Sequence, residues 1–460
     1  MVTLSRDHQL ILGLLSSQGI ASSKELQDIT GKSQPTVSRL ISELSSQVLV
    51  FGSARATRYG LPKSIRGFPA QHAVYWTSED GRIHSIGKIT LLANDVLHVE
   101  SDLVSSTTTG ELPWFLSPLK AQGFLGRLLA QRLEPQGLGA NPEHWGLESI
   151  LYGALQLHDA PGSISIGDPT SGSKHDILPI DPDGLAEGLD RMASDVAATL
   201  PAGSSAGGEQ PKFLAALPGG RHVLVKFSPP LGAPFGDRWA DLLSAEDLAS
   251  KVLREHGVET ANSTVVRTKT RAYLMSDRFD RVGARGRKHV VSVGDVHREF
   301  VADSYANWAT TCQALAGQRR LTSEDAERAK LALQFGRLIG NTDMHSGNLG
   351  LFVRPEDMAR GRFSLAPIYD MLPMRWRPNP MLGGLPDYQV FDLDPMSVDG
   401  PAAAPALAFW STLTEHDGVS KGLRTLAAQV RDLLAQQMGS AATASSSAPT
   451  PSLRRPHRPK

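Results

Sequence analysis

The 460-residue sequence predicts an α+β protein with a small N-terminal unit followed by a larger, two-lobed region. The first observation is a set of apolar residues at helical spacing within residues 1–62, followed by a pattern typical of a β-hairpin. The second is an alternating, strand-like stretch, His222 to Phe227, that carries one lysine among apolar residues. The third is composition, because 40% hydrophobic and 20% charged residues allow most of the chain to bury a core.

Changes in pattern along the chain predict four segments. Residues 1–62 form the N-terminal unit, and residues 63–200 form a second unit. Residues 201–436 form a core that carries the candidate chemistry and has a helical lower lobe. Residues 437–460 are rich in Ala, Ser, Thr and Pro and are predicted to be a disordered tail.

Within the second unit the pattern favours two strands and two helices. They are expected at His72–Trp76, His84–Leu92, Gly123–Leu133 and Leu185–Leu200.

The bulk composition excludes several classes of protein. Lys plus Arg equals Asp plus Glu at 47 each, so any contact with nucleic acid must come from a local basic patch. The single cysteine, Cys312, excludes an internal disulfide and a zinc site built from cysteines. Neither a cleavable leader nor a run of about 18 apolar residues is found, so we expect a cytoplasmic protein that does not contact a membrane.

The N-terminal unit has the pattern of a winged helix-turn-helix. Three short helices are predicted, with Ser22 or Ser23 able to cap the second and Ser33 the third. A hairpin from Val48 to Tyr59 follows them. Such domains present a third helix to DNA, usually as dimers, so DNA and a second copy of the chain are expected partners. The residues predicted to contact DNA are Lys32, Thr36, Ser38, Arg39, Ser42, Arg55 and Arg58. Three helices and a hairpin can also form a protein–protein module.

Asp343 and Asn348 have the spacing of a kinase catalytic loop, an acidic residue with an asparagine five positions later. In such a loop the carboxylate accepts the proton of the attacking hydroxyl, and the asparagine holds Mg²⁺ on the phosphates. A mostly apolar, strand-like stretch from Phe363 ends in Asp370, which would supply a second hard-oxygen ligand. The two motifs together favour a nucleotide site, although each alone is a weak signal.

A cation and its partner are expected upstream of these motifs. Lys226 on its strand would place a positive charge on the nucleotide phosphates, and Glu246, which opens a predicted helix, could pair with it. Residues 203–212, just before the strand, are mostly small, so their backbone N–H groups can approach phosphate oxygens. This loop is not a Walker A motif. The order of loop, Lys, Glu, Asp-x4-Asn and Asp is the order found in kinases.

With these motifs the sequence resembles the HipA family of bacterial serine/threonine kinases, toxins of toxin–antitoxin systems. The matching stretches are residues 205–212, 277–281 (Asp-Arg-Phe-Asp-Arg), 341–348 and Tyr369-Asp370, within a likeness that spans about residues 70–430. The fused winged helix resembles the YjjJ-like branch. The resemblance implies a two-lobed, protein-kinase-like domain that uses ATP and Mg²⁺.

The resemblance also implies a role for each matching residue. Asp343 would be the catalytic base, Asn348 and Asp370 the metal ligands, and Lys226 the phosphate contact. Ser205 would be autophosphorylated, which in the family expels the loop and switches the enzyme off. The nucleotide site would further include Glu246, Ser205, Gly207, Gly208, Gln210, Lys212 and His345. Family targets are translation proteins, notably aminoacyl-tRNA synthetases, so a protein substrate is expected. Glu209 departs from the family pattern, and residues 1–62 have no counterpart in the toxin itself.

Other interpretations fit the same residues. Aminoglycoside- and choline-type phosphotransferases share the Asp-x4-Asn and Asp pattern, so a small-molecule kinase is one alternative. A transcriptional regulator that senses nucleotide without turnover is another. Arg278 and Asp280 are interpreted as an ion pair within the chain rather than as catalytic groups.

Overall fold

The structure, a computed structural model, describes residues 4–157, 159–168, 178–199, 210–379 and 384–446. Over these ranges the chain is a mixed α/β protein with two five-stranded sheets and three smaller ones. No helix in them combines the length and the apolar character needed to cross a membrane.

The N-terminal unit contains three helices and a small sheet in the order β1-β3-β2. Its elements are α1 (Arg6–Gln18), β1 (Ile20–Ser22), α2 (Ser23–Thr30), α3 (Gln34–Glu43), β2 (Leu49–Phe51) and β3 (Arg58–Gly60). The predicted helices and the first hairpin strand are present. The second strand, expected from Arg55, begins only at Arg58, because Ala54–Ala56 form a 3-10 turn. β1 was not predicted, because three residues are too few to show a period. Ser22 ends β1 and caps α2 in a reciprocal pair with Glu25, whose carboxylate accepts a bond from the Ser22 N–H at 2.7 Å.

The second unit is built on an antiparallel sheet in the order β7-β6-β5-β4-β8, with two helices beside it. Its elements are β4 (Gln71–Thr77), β5 (Ile83–Leu92), β6 (Val96–Ser101), β7 (Ser106–Thr109), α4 (Gly123–Leu133), α5 (Leu147–Gln156) and β8 (Ile164–Ile166). The predicted strands and the helix Gly123–Leu133 are confirmed.

The N-terminal unit packs directly on the second unit. The Ala93 N–H donates to the Leu61 carbonyl at 2.8 Å, and the adjoining Lys63, the first residue of the second unit, donates its N–H to the Leu91 carbonyl at 2.8 Å. At the end of α1, Gly19 has φ of 79°, and a Cβ there would lie 2.5 Å from the Ala93 oxygen. A larger residue at this position would therefore separate the two units.

The upper lobe that follows is a five-stranded sheet in the order β12-β13-β11-β10-β9, flanked by two helices. Its elements are β9 (Leu178–Pro179), α6 (Leu185–Thr199), β10 (Lys212–Leu217), β11 (Arg221–Phe227), α7 (Pro234–Glu255), β12 (Ser263–Arg267) and β13 (Ala272–Asp277). The strand expected at His222–Phe227 is β11. α6 corresponds to the helix expected at Leu185–Leu200. However, β9 pairs with β10 and α6 packs on the core of this sheet, so residues 178–199 belong to the upper lobe and not to the second unit as expected.

Glu246 does not open a helix, as the sequence suggested, but lies in the second half of α7. The helix begins earlier because Pro234 is tolerated in a first turn. Gly236 is also required there, because a Cβ would lie 1.9 Å from the Pro230 oxygen. Pro and Gly therefore mark the start of this helix and not a break before it.

The lower lobe is mainly helical, with two small sheets. Its elements are β14 (Arg281–Val282), β15 (Gly286–Arg287), β16 (Val290–Ser292), α8 (Val293–Phe300), α9 (Trp308–Gly317), α10 (Ser323–Leu338), β17 (Gly350–Phe352), α11 (Pro355–Met358), β18 (Ser364–Leu365), α12 (Pro395–Val398), α13 (Ala403–Thr414) and α14 (Lys421–Ser446).

α14 extends into the segment expected to be a disordered tail. The helix continues to Ser446, so residues 437–446 differ from the prediction. This stretch contains several alanines, which have the highest helix propensity and extend a helix already begun upstream. Residues 447–460, the rest of the predicted tail, lie outside the described residues.

A buried ionic cluster joins the second unit to the lobes behind it. Asp159 pairs with Arg278 and, at 2.5 Å, with Arg281. Asp280 pairs with Arg278 at 3.0 Å and with Arg281 at 2.6 Å, and it accepts the Gly162 N–H at 2.9 Å. Burial acts against the charge on Asp280, but the two guanidinium groups outweigh it and hold its pKa well below the ordinary value. The predicted ion pair between Arg278 and Asp280 is confirmed as part of a larger network.

Asp280→Ala is expected to lower the free energy of unfolding by about 3–5 kcal/mol, because it leaves buried guanidinium groups short of counter-charge. The measurement is chemical denaturation of the full chain. Asp432→Ala is the control, since it removes only the exposed pair with Arg431 and should cost about 0–1 kcal/mol. Equal losses in the two variants would show that the cluster does not hold the units together.

Candidate active site

Lys226 lies buried where β11, α7 and the segment after β18 meet. Its ammonium donates to the Glu246 Oε1 at 2.6 Å and also to the Asp370 Oδ1. Lys226 is 5% exposed and Glu246 3% exposed, so both charges are removed from water. The interaction joins a strand and a helix of the upper lobe to a carboxylate of the lower lobe.

The three charges shift one another's pKa values. Burial disfavours the charged Lys226, but the carboxylates of Asp370 and Glu246 outweigh it and raise the lysine pKa above its ordinary value. Burial likewise opposes the charge on Asp370, yet Lys226 and Lys212 hold its pKa below the ordinary value. For Glu246 burial dominates, so its pKa is raised. Lys226 and Asp370 are therefore the pair whose charges the site stabilises.

The loop after α10 presents Asp343 and Asn348. The Asn348 side-chain nitrogen donates to the Asp343 carbonyl at 2.7 Å, so the amide oxygen is the atom left to face a metal. Asp343 is half-buried, whereas Asn348 is buried. Within the loop, His345 Nδ1 accepts the Gly347 N–H at 3.0 Å, and the Trp308 indole donates to the His345 carbonyl at 2.9 Å. The segment from Asp343 to Asn348 therefore forms a compact turn that is held by hydrogen bonds from its own side chains.

The stretch that ends in Asp370 is not the continuous strand that the sequence suggested. Only Ser364–Leu365 pair as a strand, and Asp370 itself has φ of 57°, in the left-handed region. Pro367 contributes to this outcome, because it lacks an N–H for a ladder and restricts the residue before it. Asp tolerates the left-handed region better than most residues, so a short turn can place its carboxylate.

One cavity of about 1050 Å³ receives the predicted residues from both lobes. Its lining includes Lys226, Asp343, His345, Asn348, Asp370, Gln210 and Lys212. Lys212 of β10 lies directly opposite Lys226 of β11 in the register of the two antiparallel strands. Both side chains therefore lie on the same face of the sheet. Gln210 donates to the Phe227 carbonyl at 3.3 Å. Glu246 lies behind Lys226 and does not line the cavity.

Three of the residues expected around the nucleotide, Ser205, Gly207 and Gly208, lie outside the described residues, together with most of the small-residue loop.

The residues facing the cavity fit a magnesium ion better than a transition metal. Within the described ranges no cluster of three or more His, Cys, Asp or Glu side chains is placed to hold a metal. The available donors are the Asp370 carboxylate and the Asn348 amide oxygen. Mg²⁺ commonly takes one or two protein oxygens and fills its other positions with phosphate oxygens and water, so this donor set suits it when nucleotide is bound.

The residues predicted to contact DNA are distant in sequence from those that line the cavity. Lys32 lies directly before α3, and the others lie on α3 and the hairpin. Lys32, Ser38, Arg39, Ser42 and Arg55 are exposed. Lys32 pairs with Asp7 at 3.4 Å and Arg39 with Glu43 at 3.8 Å. The Thr36 hydroxyl lies 3.2 Å from that of Ser33. Arg58 is half-buried, and its guanidinium donates to the Thr57 carbonyl at 3.0 Å.

Sequence analysis missed two residues that contact the predicted ones. Asn341 donates to the Asp370 carbonyl and accepts the Asp343 N–H, and Tyr369 donates its hydroxyl to the Gly347 carbonyl. Both lie within stretches used for the family resemblance. Their proximity in sequence to Asp343 and Asp370 was the available signal, but no periodicity shows which backbone groups they would reach.

Comparison with known proteins gives a consistent result. Residues 204–441 match the model of the HipA-like C-terminal domain, and residues 68–173 match that of the YjjJ-like toxin, middle domain. Toxin YjjJ of Escherichia coli (strain K12) is 35% identical over 437 residues, covering 91% of this chain and 96% of that protein.

A chain of the Shewanella oneidensis MR-1 toxin–antitoxin complex of HipA, HipB and operator DNA has a similar structure. Its TM-score is 0.50 at 15% identity, and the match covers 80% of this chain and 97% of that one. At this identity the likeness concerns the fold alone. The predicted resemblance is confirmed, and the chain belongs to the family of HipA-like toxins, with the YjjJ-like middle domain of one branch.

Proposed function

We propose that this chain is an ATP- and Mg²⁺-dependent serine/threonine protein kinase with a fused DNA-binding domain. The observation that carries the kinase proposal is the convergence of Lys226, Asp343, Asn348 and Asp370 on one cavity. These residues come from strand, loop and turn segments that are up to 144 positions apart.

Each residue has a distinct task in the proposed reaction. Lys226, fixed by Glu246, would hold a positive charge against the nucleotide phosphates. Asn348 and Asp370 would hold the metal, which would supply positive charge to the phosphates when bound. Asp343 would accept the proton of the acceptor hydroxyl as that oxygen bonds to the γ-phosphorus and the bond to ADP breaks. Asp343 suits this task because it is half-buried and lines the cavity, where an acceptor can reach it.

The acceptor is proposed to be a serine or threonine of a protein. Membership in the family of HipA-like toxins is the basis for this proposal. Ser205 is the residue proposed to be autophosphorylated. A translation protein such as an aminoacyl-tRNA synthetase is the proposed class of substrate.

We further propose that residues 1–62 form a winged helix-turn-helix that binds DNA, with the chain acting as a dimer. The support is the order of three helices and a hairpin, with a polar, exposed side of α3 and Arg55 on the hairpin. Residues 1–62 contain six Lys or Arg and four Asp or Glu, so their charge attracts phosphate only moderately. Base contacts from α3 would then have to supply most of the selectivity.

Asp343→Ala is expected to lower the incorporation of ³²P from ATP into Ser205 by about 10²–10⁴-fold, because the proton acceptor is lost. The measurement is radiolabelling of purified full chain with Mg²⁺, followed by mapping of the modified peptide. Asp417→Ala, which changes an exposed carboxylate of the lower lobe, should label like the wild type.

Three outcomes would contradict parts of the kinase proposal. Equal labelling of Asp343→Ala and wild type would remove Asp343 from the catalytic role. Phosphate transfer only to an added sugar or amino alcohol would indicate a small-molecule phosphotransferase. ATP binding without any transfer would indicate a nucleotide-sensing regulator.

Arg39→Ala is expected to weaken binding of the full chain to its selected DNA by about 1–3 kcal/mol, the typical value of a base contact. The probe is a duplex enriched from a random library by the wild-type chain, and the readout is fluorescence anisotropy over a range of salt. Arg82→Ala removes an exposed arginine on the turn between β4 and β5 and should leave binding unchanged. Failure of the wild type to enrich any sequence would count against DNA binding.

A further inference from the structure

Asn341 contacts both of the carboxylate residues on which the proposed reaction depends. Its side-chain oxygen accepts the Asp343 N–H at 3.0 Å, and its side-chain nitrogen donates to the Asp370 carbonyl at 3.3 Å. The same nitrogen lies 3.6 Å from the Met371 sulfur. Because one end of the amide must accept and the other must donate, only one orientation of this group satisfies both bonds.

Because Asn341 is buried, losing either of these two hydrogen bonds would be costly in free energy. Asn341 is 5% exposed, so an amide that lost either partner would keep an unsatisfied polar atom away from water. The backbone holds the residue as well, since its N–H donates to the Gly336 carbonyl at 2.8 Å, at the end of α10. The Asn341 amide therefore connects the Asp343 loop to the Asp370 turn through two hydrogen bonds in a fixed orientation.

Tyr369 makes a second connection between the same two segments. Its hydroxyl donates to the Gly347 carbonyl at 2.7 Å, directly before Asn348. The ring packs against Phe279, with centroids 5.5 Å apart, and this contact limits its movement. Asn341 and Tyr369 thus connect the Asp370 turn to the catalytic loop at two separate points, one near Asp343 and one near Asn348.

The Asp370 turn is a place where such connections are needed. A non-glycine residue with φ of 57° occupies a sparsely populated region and stays there only when its surroundings hold it. The Asn341 side chain donates to the carbonyl of Asp370 itself. Tyr369, the residue directly before Asp370, donates its hydroxyl to the Gly347 carbonyl. Both restrain the direction in which the Asp370 carboxylate leaves the backbone.

We propose that Asn341 and Tyr369 are positioning residues that fix the distance between the metal carboxylate of Asp370 and the catalytic loop that carries Asp343 and Asn348. Neither residue needs to touch the metal or the nucleotide. They act through Asp370, as outer groups that orient metal ligands do in other sites. This inference rests on the proposed function, since it assumes that Asp370 and Asn348 share one ion.

The test measures Mn²⁺ binding by electron paramagnetic resonance in the presence of the non-hydrolysable analogue AMP-PNP. Asn341→Asp keeps the acceptor for the Asp343 N–H but replaces the donor to the Asp370 carbonyl with an oxygen. Tyr369→Phe removes only the hydroxyl. Both variants are expected to bind Mn²⁺ about 10–100-fold more weakly, while their affinity for AMP-PNP without metal stays at the wild-type value. The activity of each should fall at low Mg²⁺ and recover partly at high Mg²⁺.

Two control variants separate positioning from general stability. Tyr273→Phe removes a tyrosine hydroxyl bond to Asp190 in the upper lobe, and Asn307→Asp changes an asparagine that caps α9. Tyr273→Phe should lower the melting temperature and leave Mn²⁺ affinity unchanged, whereas Asn307→Asp should change neither.

The possible failures are distinguishable. If the wild type with AMP-PNP binds no Mn²⁺, the proposed kinase site itself is wrong. If the wild type binds Mn²⁺ and both Asn341→Asp and Tyr369→Phe bind it equally well, the positioning role is wrong. The role is also wrong if Tyr273→Phe weakens Mn²⁺ binding as much as they do, because the effect would then follow stability alone.

Discussion

The buried contact of Lys226 with Glu246 and Asp370 is the interaction on which the arrangement of the two lobes depends. An ammonium group removed from water is stable only beside counter-charge, and here that charge comes from a helix of one lobe and a turn of the other. Such a buried network is weak evidence of net stability, because desolvation offsets most of the attraction. Its stronger consequence is geometric, since separating the lobes would take Asp370 away from Lys226 and leave Glu246 as the one carboxylate of this network beside the buried ammonium.

The other unit boundaries use different interactions. The second unit meets the lobes through the ionised cluster around Asp159 and Asp280, where Arg278 and Arg281 each contact both carboxylates. The N-terminal unit instead meets the second unit through backbone hydrogen bonds and the close approach of Gly19 to Ala93. The Leu61 carbonyl, directly after β3, accepts the Ala93 N–H of the second unit, so a rotation of the N-terminal unit would have to break this main-chain bond.

The sequence predicted best those features that depend on short-range spacing or strong periodicity. The helices of the N-terminal unit, the strand around Lys226 and the pairing of Lys226 with Glu246 follow from apolar periods and from a charge placed among apolar residues. Backbone geometry that depends on contacts between distant residues was harder to predict from the sequence. The strand expected before Asp370 is mostly irregular, because Pro367 interrupts the ladder and the left-handed turn at Asp370 has no periodic signal. The start of α7 was also misplaced, because Pro234 and Gly236 resemble a break unless their contacts are known.

Asp343 and Asp370 lie in different surroundings, and these surroundings suit the different tasks proposed for the two carboxylates. Asp370 contacts a buried lysine, has a lowered pKa, and is held by Asn341 and Tyr369 through the backbone around it. A carboxylate in this setting stays ionised and points in one direction, as a metal ligand requires. Asp343 is held through its backbone by Asn341 and Asn348, while its half-buried side chain lines the cavity. The backbone bonds fix the position of the Asp343 main chain without using its carboxylate, which suits the proposed role as proton acceptor. The same loop can thus combine a rigid frame with one chemically available group, because its asparagines satisfy the main chain and not the Asp343 carboxylate.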